Sequence, residues 1–290
     1  MRSLLLLLLL ATPLAQAGES INESRPINST ALIHFEGVEG EIIVKAGNNN
    51  RWQLSGDLAS SVREVDISGD KSGWQIEVDY YNNKRNWGGK TKLVLEVPSQ
   101  AELKLEMVSG DITVHELHGE QIQIETVSGD IESEATPNYL EAESVSGDIR
   151  LDAGGRMQNQ IASVSGDIRA RRLKGELEAN TVSGKIAIDE AQLRRAQLES
   201  VSGDLTMNVD LAAKSRVSAS TNSGDILLGI PDELPIRLEV ETFSGNITSA
   251  WGRVHRNEYG PGESLNFRHN EGTARIELSG FSGDVTVRKR

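Results

Sequence analysis

Glu125-Thr126-Val127-Ser128-Gly129-Asp130-Ile131 returns eighteen residues later as Glu143-Ser144-Val145-Ser146-Gly147-Asp148-Ile149. The reading of this motif decides the fold, because it does not stop at two copies. The glycine of a Ser-Gly-Asp-like corner falls at Gly110, Gly129, Gly147, Gly166, Gly184, Gly203, Gly224, Gly245 and Gly283. The steps are 19, 18, 19, 18, 19, 21, 21 and 38 residues, the last reading as two periods with one corner lost near residue 264. Fixed self-similarity at such a period is the mark of a repeat architecture.

The flanks of each corner repeat as well. With the residue before the serine as position zero, apolar side chains recur five and three residues earlier, as in Leu103 and Leu105, Ile122 and Ile124, or Leu177 and Ala179. Four residues later stands Ile112, Ile131, Ile149, Ile168, Ile186, Leu205, Ile226, Ile247 or Val285. Period two on both arms reads as strand, corner, strand. Residues 189–200 resemble a helix, but the register puts Ala196 and Leu198 at inward strand positions, so strand is expected there too.

A rung of this length cannot bury its apolar face alone; parallel stacking buries it. The expected fold is all-β, a parallel β-solenoid of the single-stranded β-helix type, expected to wind right-handed. Nine corners and the lost one give a body of roughly 45–50 Å at about 4.8 Å per rung. Glycine is expected at the corner for its access to positive φ. The residue just before position zero is Ser or Thr in seven rungs (Thr126, Ser144, Ser163, Thr181, Ser200, Thr221 and Thr242) and has inward parity, which predicts a hydroxyl ladder at the inner bend.

Outside the repeat, residues 1–17 carry Arg2, the run Leu4–Leu10 and Ala15-Gln16-Ala17, the layout of a secretory signal peptide. The apolar run is too short for a permanent membrane span, so an exported protein, periplasmic or extracellular, is expected. Residues 18–30 read as a flexible leader and 31–100 as an N-terminal β cap, with the solenoid over 101–290 and Arg288-Lys289-Arg290 as a charged stop on its last edge. Cysteine is absent, so neither a disulfide nor a lipidated cysteine holds the chain. Net charge is −13, and −14 once residues 1–17 are removed, which disfavours nucleic acid as a partner.

The iterated corner resembles a known family, the bacterial putative-adhesin domain of unknown function, a β-solenoid of exported proteins. Gly40-Glu41-Ile42-Ile43-Val44, the strand Leu93–Pro98, and Asn222-Ser223-Gly224-Asp225-Ile226 followed by Pro231 carry the rest of the likeness, over residues 31–290. The resemblance implies a fold and an envelope location, with no catalytic residue to carry over. Lys185 and Asn246 depart from the corner Asp.

Candidate chemistry is sparse. Asp111, Asp130, Asp148 and Asp167 should stand one above another. Two such charges repel by about 0.9 kcal/mol in water at that spacing, so backbone N–H donors, hydration or bound cations must relieve them. Calcium suits stacked oxygens, but one carboxylate per corner and the interruption at Lys185 favour a structural hydrogen-bonded corner. A second acidic column, Glu106, Glu125, Glu143, Glu199 and Glu241, has outward parity and reads as a solvated face. His115 and His118 read as a surface pair rather than a metal site. The loop 79–90, with Tyr80, Tyr81, Lys84, Arg85 and Trp87, is a candidate ligand loop, and 251–269 is a second aromatic and cationic stretch, or else an insertion packed on the last coils. No nucleophile elbow, phosphate loop or cofactor motif is present. The expected function is a non-enzymatic adhesin, scaffold or binding module, meeting a glycan, an envelope protein or its own copies. A carbohydrate-active β-helix enzyme and an envelope sensor with an acidic face are the alternatives.

Overall fold

The structure, a computed structural model, describes residues 19–81, 89–256 and 261–290. Its twenty-three strands are β1 Glu19–Pro26, β2 Leu32–Ala46, β3 Arg51–Leu58, β4 Val62–Asp70, β5 Gly73–Tyr80, β6 Lys92–Val97, β7 Glu102–His115, β8 Gln121–Thr126, β9 Ile131–Ser133, β10 Tyr139–Ser144, β11 Ile149–Leu151, β12 Gln158–Ser163, β13 Ile168–Arg171, β14 Lys174–Thr181, β15 Ile186–Ser200, β16 Leu205–Ser223, β17 Ile226–Ile230, β18 Ile236–Ser244, β19 Ile247–Ser249, β20 His255–Arg256, β21 Glu263–Arg268, β22 Ala274–Ser282 and β23 Val285–Lys289. No helix occurs among the described residues. Residues 189–200 are strand, inside β15.

The repeats form the parallel β-solenoid that the period demands. First arms β7, β8, β10, β12 and β14 pair in parallel without a slip, placing Leu105, Ile124, Ala142, Ile161 and Ala179 in one column. Second arms stack likewise, aligning Ile112, Ile131, Ile149, Ile168, Ile186, Leu205 and Ile226. All of these are buried, in one core that runs the length of the coil. Burying one such aliphatic side chain is worth about 1.5–3 kcal/mol, available only when neighbouring rungs cover it. One inward position holds Asn159 instead, fully buried. Its amide donates to the carbonyls of Gly155, Lys174 and Glu176 and accepts from the Gly155 N–H, so its burial carries no unpaired polar group.

The corner glycines line one edge, but for a different reason from the one expected. Among the nine, only Gly283 has a positive φ, at 152°. Close approach is what requires glycine. A Cβ on any of the nine would lie less than 3.0 Å from the carbonyl oxygen of the glycine one rung below. Positive φ falls instead on non-glycine residues such as Glu116, Arg172, Glu190 and Lys214, each at the return bend after a second arm, and on Asn270 in the turn before β22.

Three boundaries differ from expectation. Residues 19–26 are not a flexible leader. They form β1, paired antiparallel along all of β3, because alternating backbone donors and acceptors can complete a sheet edge without a strong apolar pattern. The coil also begins before residue 101. Strand β2 pairs with β7 through its whole corner, Gly40 opposite Gly110, and β5 and β6 extend the two parallel stacks beyond β2. Antiparallel β4, β3 and β1 then cover those edges.

The third difference is at the other end, where rung order departs from chain order. Strand β22 pairs with β16 on one side and β18 on the other, and β23 lies between β17 and β19. The chain leaves β17, crosses over through residues 231–235, lays down β18 and β19 two rungs on, and returns to fill the gap. The long interval between Gly245 and Gly283 is therefore not a rung with a lost corner. It holds β20 and β21, with β21 antiparallel along the outer edge of β18. Nor are Arg288, Lys289 and Arg290 an edge stop, since β23 is interior; Lys289 pairs with Asp232 and Arg290 with Asp210.

Two expectations follow. Gly166→Ala should lose about 1–3 kcal/mol in a denaturant titration, the usual cost of forcing an extra methyl into a packed interior. Truncation after Asn270 removes an interior rung, the one between β16/β17 and β18/β19, rather than an end, so limited proteolysis should then cut within 216–256 while 121–200 stays protected.

Candidate binding surface

The corner edge is built from three side-chain types with separate tasks. The buried hydroxyls of Ser144, Ser163, Thr181 and Ser200 accept the N–H of the corner glycine three residues on, at 2.7–3.1 Å. Thr126, Thr221 and Thr242 donate to the carbonyl of the corner glycine one rung away. The hydroxyl column thus satisfies backbone groups that the bend takes out of the ladder.

The corner acids stitch one rung to the next. Asp111 Oδ1 accepts the N–H of Asp130, Asp130 that of Asp148, Asp148 that of Asp167, and Asp167 that of Lys185, all at 2.9–3.0 Å. The series resumes from Asp204 to Asp225, Asp225 to Asp284 and Asp284 to Asn246. The second oxygens meet cations: Arg150 lies 3.1 Å from Asp130 and 2.9 Å from Asp148, Arg169 lies 2.7 Å from Asp167, and Lys185 lies 3.0 Å from Asp204. Backbone donors and neighbouring arginines therefore relieve the repulsion among the four calcium candidates, and the residue that breaks the acidic row, Lys185, supplies one of the cations.

Position zero, with outward parity, forms an exposed ridge along the same edge. Val108, Val127, Val145, Val164, Val182 and Val201 are each 43–49% exposed, well above what a corner buried for packing would show. The ridge then changes character to Asn222, Phe281 and Phe243 in rung order. The two phenylalanine rings stack with centroids 4.9 Å apart and planes 5° from parallel, and they are 54% and 52% exposed. Beside them lies a cleft of about 570 Å³ whose polar lining includes Ser220, Asn222, Glu241, Ser264 and Ser279. The sequence carried a signal for this ridge in the parity of position zero. The ring pair could not be read from it, because 38 residues separate the two rings and the rung order joins them.

The other candidates are dispersed. Tyr80 is half-buried and its hydroxyl donates to the Glu39 carbonyl at 2.7 Å, with burial raising its pKa; Tyr81 is exposed. Lys84, Arg85 and Trp87 lie outside the described residues. Trp251 is buried in the core and Phe267 half-buried against it, so this stretch packs on the last rungs. His115 faces Glu134 at 3.1 Å and His118 faces Thr136 at 2.7 Å, on separate partners.

The outward acidic column is longer than the sequence register showed, running Glu77, Glu36, Glu106, Glu125 and Glu143 across five adjacent strands. Burial first, then Glu141 and Glu125, raise the Glu143 pKa. At Glu106 burial acts the same way, but hydrogen bonds from His34 and Lys104 outweigh it and leave the pKa lowered. His34, Glu36 and Glu106 bring one ligand atom each within 4.8 Å of one another. Sequence reading missed this group because 70 residues separate His34 from Lys104, its neighbour in the adjacent strand.

The family follows from the match of the Toastrack DUF4097 domain to residues 33–228 and 196–288. The chain belongs to the Toastrack DUF4097 family. No curated protein matches it. Among solved structures, a putative adhesin from Parabacteroides merdae is similar at 13% identity and a TM-score of 0.56, with 93% of this chain and 97% of that one covered. A putative lipid binding protein from Parabacteroides distasonis is similar at 14% identity and a TM-score of 0.53, with 93% and 98% covered. At such identities the likeness concerns the Toastrack fold.

The corner bonds predict a pH dependence. The Lys185 ammonium, then the Asp225 N–H, hold the Asp204 carboxyl below its ordinary range. A carboxyl depressed in the folded state adds stability above its unfolded pKa, about 4, and loses it as pH falls through the folded value. Asp204→Asn should therefore be less stable than the parent at pH 7, and the difference should shrink below pH 4 in parallel thermal melts.

Proposed function

We propose that the protein is a non-enzymatic binding module of the cell envelope, of the adhesin kind, that takes a glycan at the aromatic end of its corner ridge. The observation that carries this is the exposed Phe243–Phe281 stack beside the cleft. Two rings with hydroxyl, amide and carboxylate groups next to them suit a sugar, whose C–H faces lie on aromatic carbon while its hydroxyls find hydrogen-bond partners. Isolated exposed apolar residues need no explanation, but a continuous ridge ending in stacked rings does. The signal-peptide layout of residues 1–17 supports export, and the name of the Parabacteroides merdae protein supports the adhesin class. No helix of the described residues is long and apolar enough to cross a membrane. Residues 19–31 and 47–72, which hold the antiparallel strands, act on this reading as the cap of the coil.

An enzyme of the β-helix type requires acids gathered at one rung face. Here the corner acids are engaged in bonds between rungs, and the outward glutamates extend along the axis. A glycan array with the exported form, followed by calorimetry on the best ligand, tests the proposal. Phe243→Ala/Phe281→Ala should weaken binding at least tenfold with an unchanged unfolding midpoint. Unaltered affinity in that variant, or turnover of the bound glycan, would overturn it.

A further inference from the structure

Four arginines occupy the same outward position in four successive rungs. Arg195 lies opposite Arg216, Arg216 opposite Arg275, and Arg275 opposite Arg237. Antiparallel β21 adds a fifth, Arg268, opposite Arg237. All five are exposed. Neighbours in this column stand one strand spacing apart, about 4.8 Å, and like charges directly opposite across a strand pair oppose that pairing.

Elsewhere in the coil Arg150, Arg169 and Arg171 are neutralised by neighbouring acids. Arg150 alone meets Asp130, Asp148 and Glu132. In the ladder, Arg237 pairs with Glu239 at 2.6 Å, Arg268 spends one nitrogen on the Glu271 carbonyl, and Arg195 reaches Glu176 only at 3.8 Å. Arg216 and Arg275, at its centre, make no ion pair among the described residues. Two unpaired guanidinium groups side by side are out of keeping with a chain that has 43 carboxylate residues against 30 Lys and Arg. The neighbouring column contributes to this. It carries Gln123, Glu141, Gln160 and Glu178 in earlier rungs and Gln197 and Ser218 beside Arg195 and Arg216, so in that column no acid flanks those two, whereas Glu277 and Glu239 flank Arg275 and Arg237. A groove of about 230 Å³ runs along Arg195, Arg216 and Arg275.

We infer that this ladder binds an extended anionic polysaccharide lying along the solenoid axis, with carboxylates of successive sugars bridging successive arginines. Guanidinium groups hold carboxylates by paired, planar hydrogen bonds, and a column of fixed pitch fits a polymer of regularly spaced charge better than a single anion. A bound polyanion would also remove the repulsion that the column builds in. The inference rests on residues separate from the phenylalanine pair and does not need it.

The test is calorimetry of the exported full-length chain with polygalacturonate, with neutral dextran and with phosphatidylglycerol vesicles, at 20 mM and 200 mM salt. Polygalacturonate should bind, dextran should not, and the higher salt should weaken the binding at least tenfold. Arg216→Gln/Arg275→Gln should lose at least tenfold, while Arg169→Gln keeps the parent affinity for this polymer. These side chains are exposed, so the unfolding midpoint should be unchanged; if the double variant does not fold, the single variants Arg216→Gln and Arg275→Gln should each show a partial loss. Absence of polygalacturonate binding at low salt, equal binding by the parent and both the single and double arginine variants, or vesicles bound more tightly than the polymer would each overturn the inference.

Discussion

The close approach of glycine backbones at the corner is the constraint on which the rest of the structure depends. One glycine carbonyl sits where the next glycine's Cβ would be, from Gly40 through Gly224 and on to Gly283 and Gly245. That contact fixes the depth at which each rung nests on its neighbour. The hydroxyl beneath it satisfies the glycine N–H, and the acid beside it bonds the next rung's N–H, so register is set at one point in three ways. Slippage by one residue would turn every inward aliphatic outward.

Strict register has a surface consequence. A residue chosen once per rung becomes a column, and its chemistry is multiplied along the axis. The corner tolerates a column of carboxylates because one oxygen of each accepts a backbone N–H from the next rung and the second oxygens of Asp130, Asp148, Asp167 and Asp204 meet cations. The outward glutamates and the central ladder arginines Arg216 and Arg275 have no such backbone partner among the described residues, so their charge lies on the outer face. The same geometry that makes the core continuous therefore makes ridges and charge ladders the natural surface features of this fold. A compact pocket is less to be expected on a body whose faces are sheets.

Much of this was legible in the sequence, and the part that was not has physical causes. The corner, the two arms, the hydroxyl column and the parallel stacking follow from period and parity. The return bends left no trace, because Glu116, Arg172, Glu190 and Lys214 hold positive φ without glycine. Strand β1 was read as a leader because an edge strand needs only its backbone to pair. Rung order at the far end was beyond reach, since the corners at 224, 245 and 283 share one local signature and nothing local says which stacks on which. The candidate site suffered most from this. The Val ridge could be inferred from parity, whereas the arginine ladder runs 195, 216, 275, 237, an order that becomes visible only when β22 is placed between β16 and β18.

The inserted rung thus has a meaning beyond topology. Phe281 meets Phe243, and Arg275 joins Arg216 to Arg237, only because β22 enters between strands that precede it in the chain. Without it the aromatic pair is a single ring and the ladder is two separated pieces. Contacts of long sequence separation form late, because loop closure must come before they are rewarded. The rung that closes the core therefore also assembles both candidate surfaces, and a chain lacking it would present neither. Completion of the fold and assembly of both candidate surfaces become one event, located in residues 273–289.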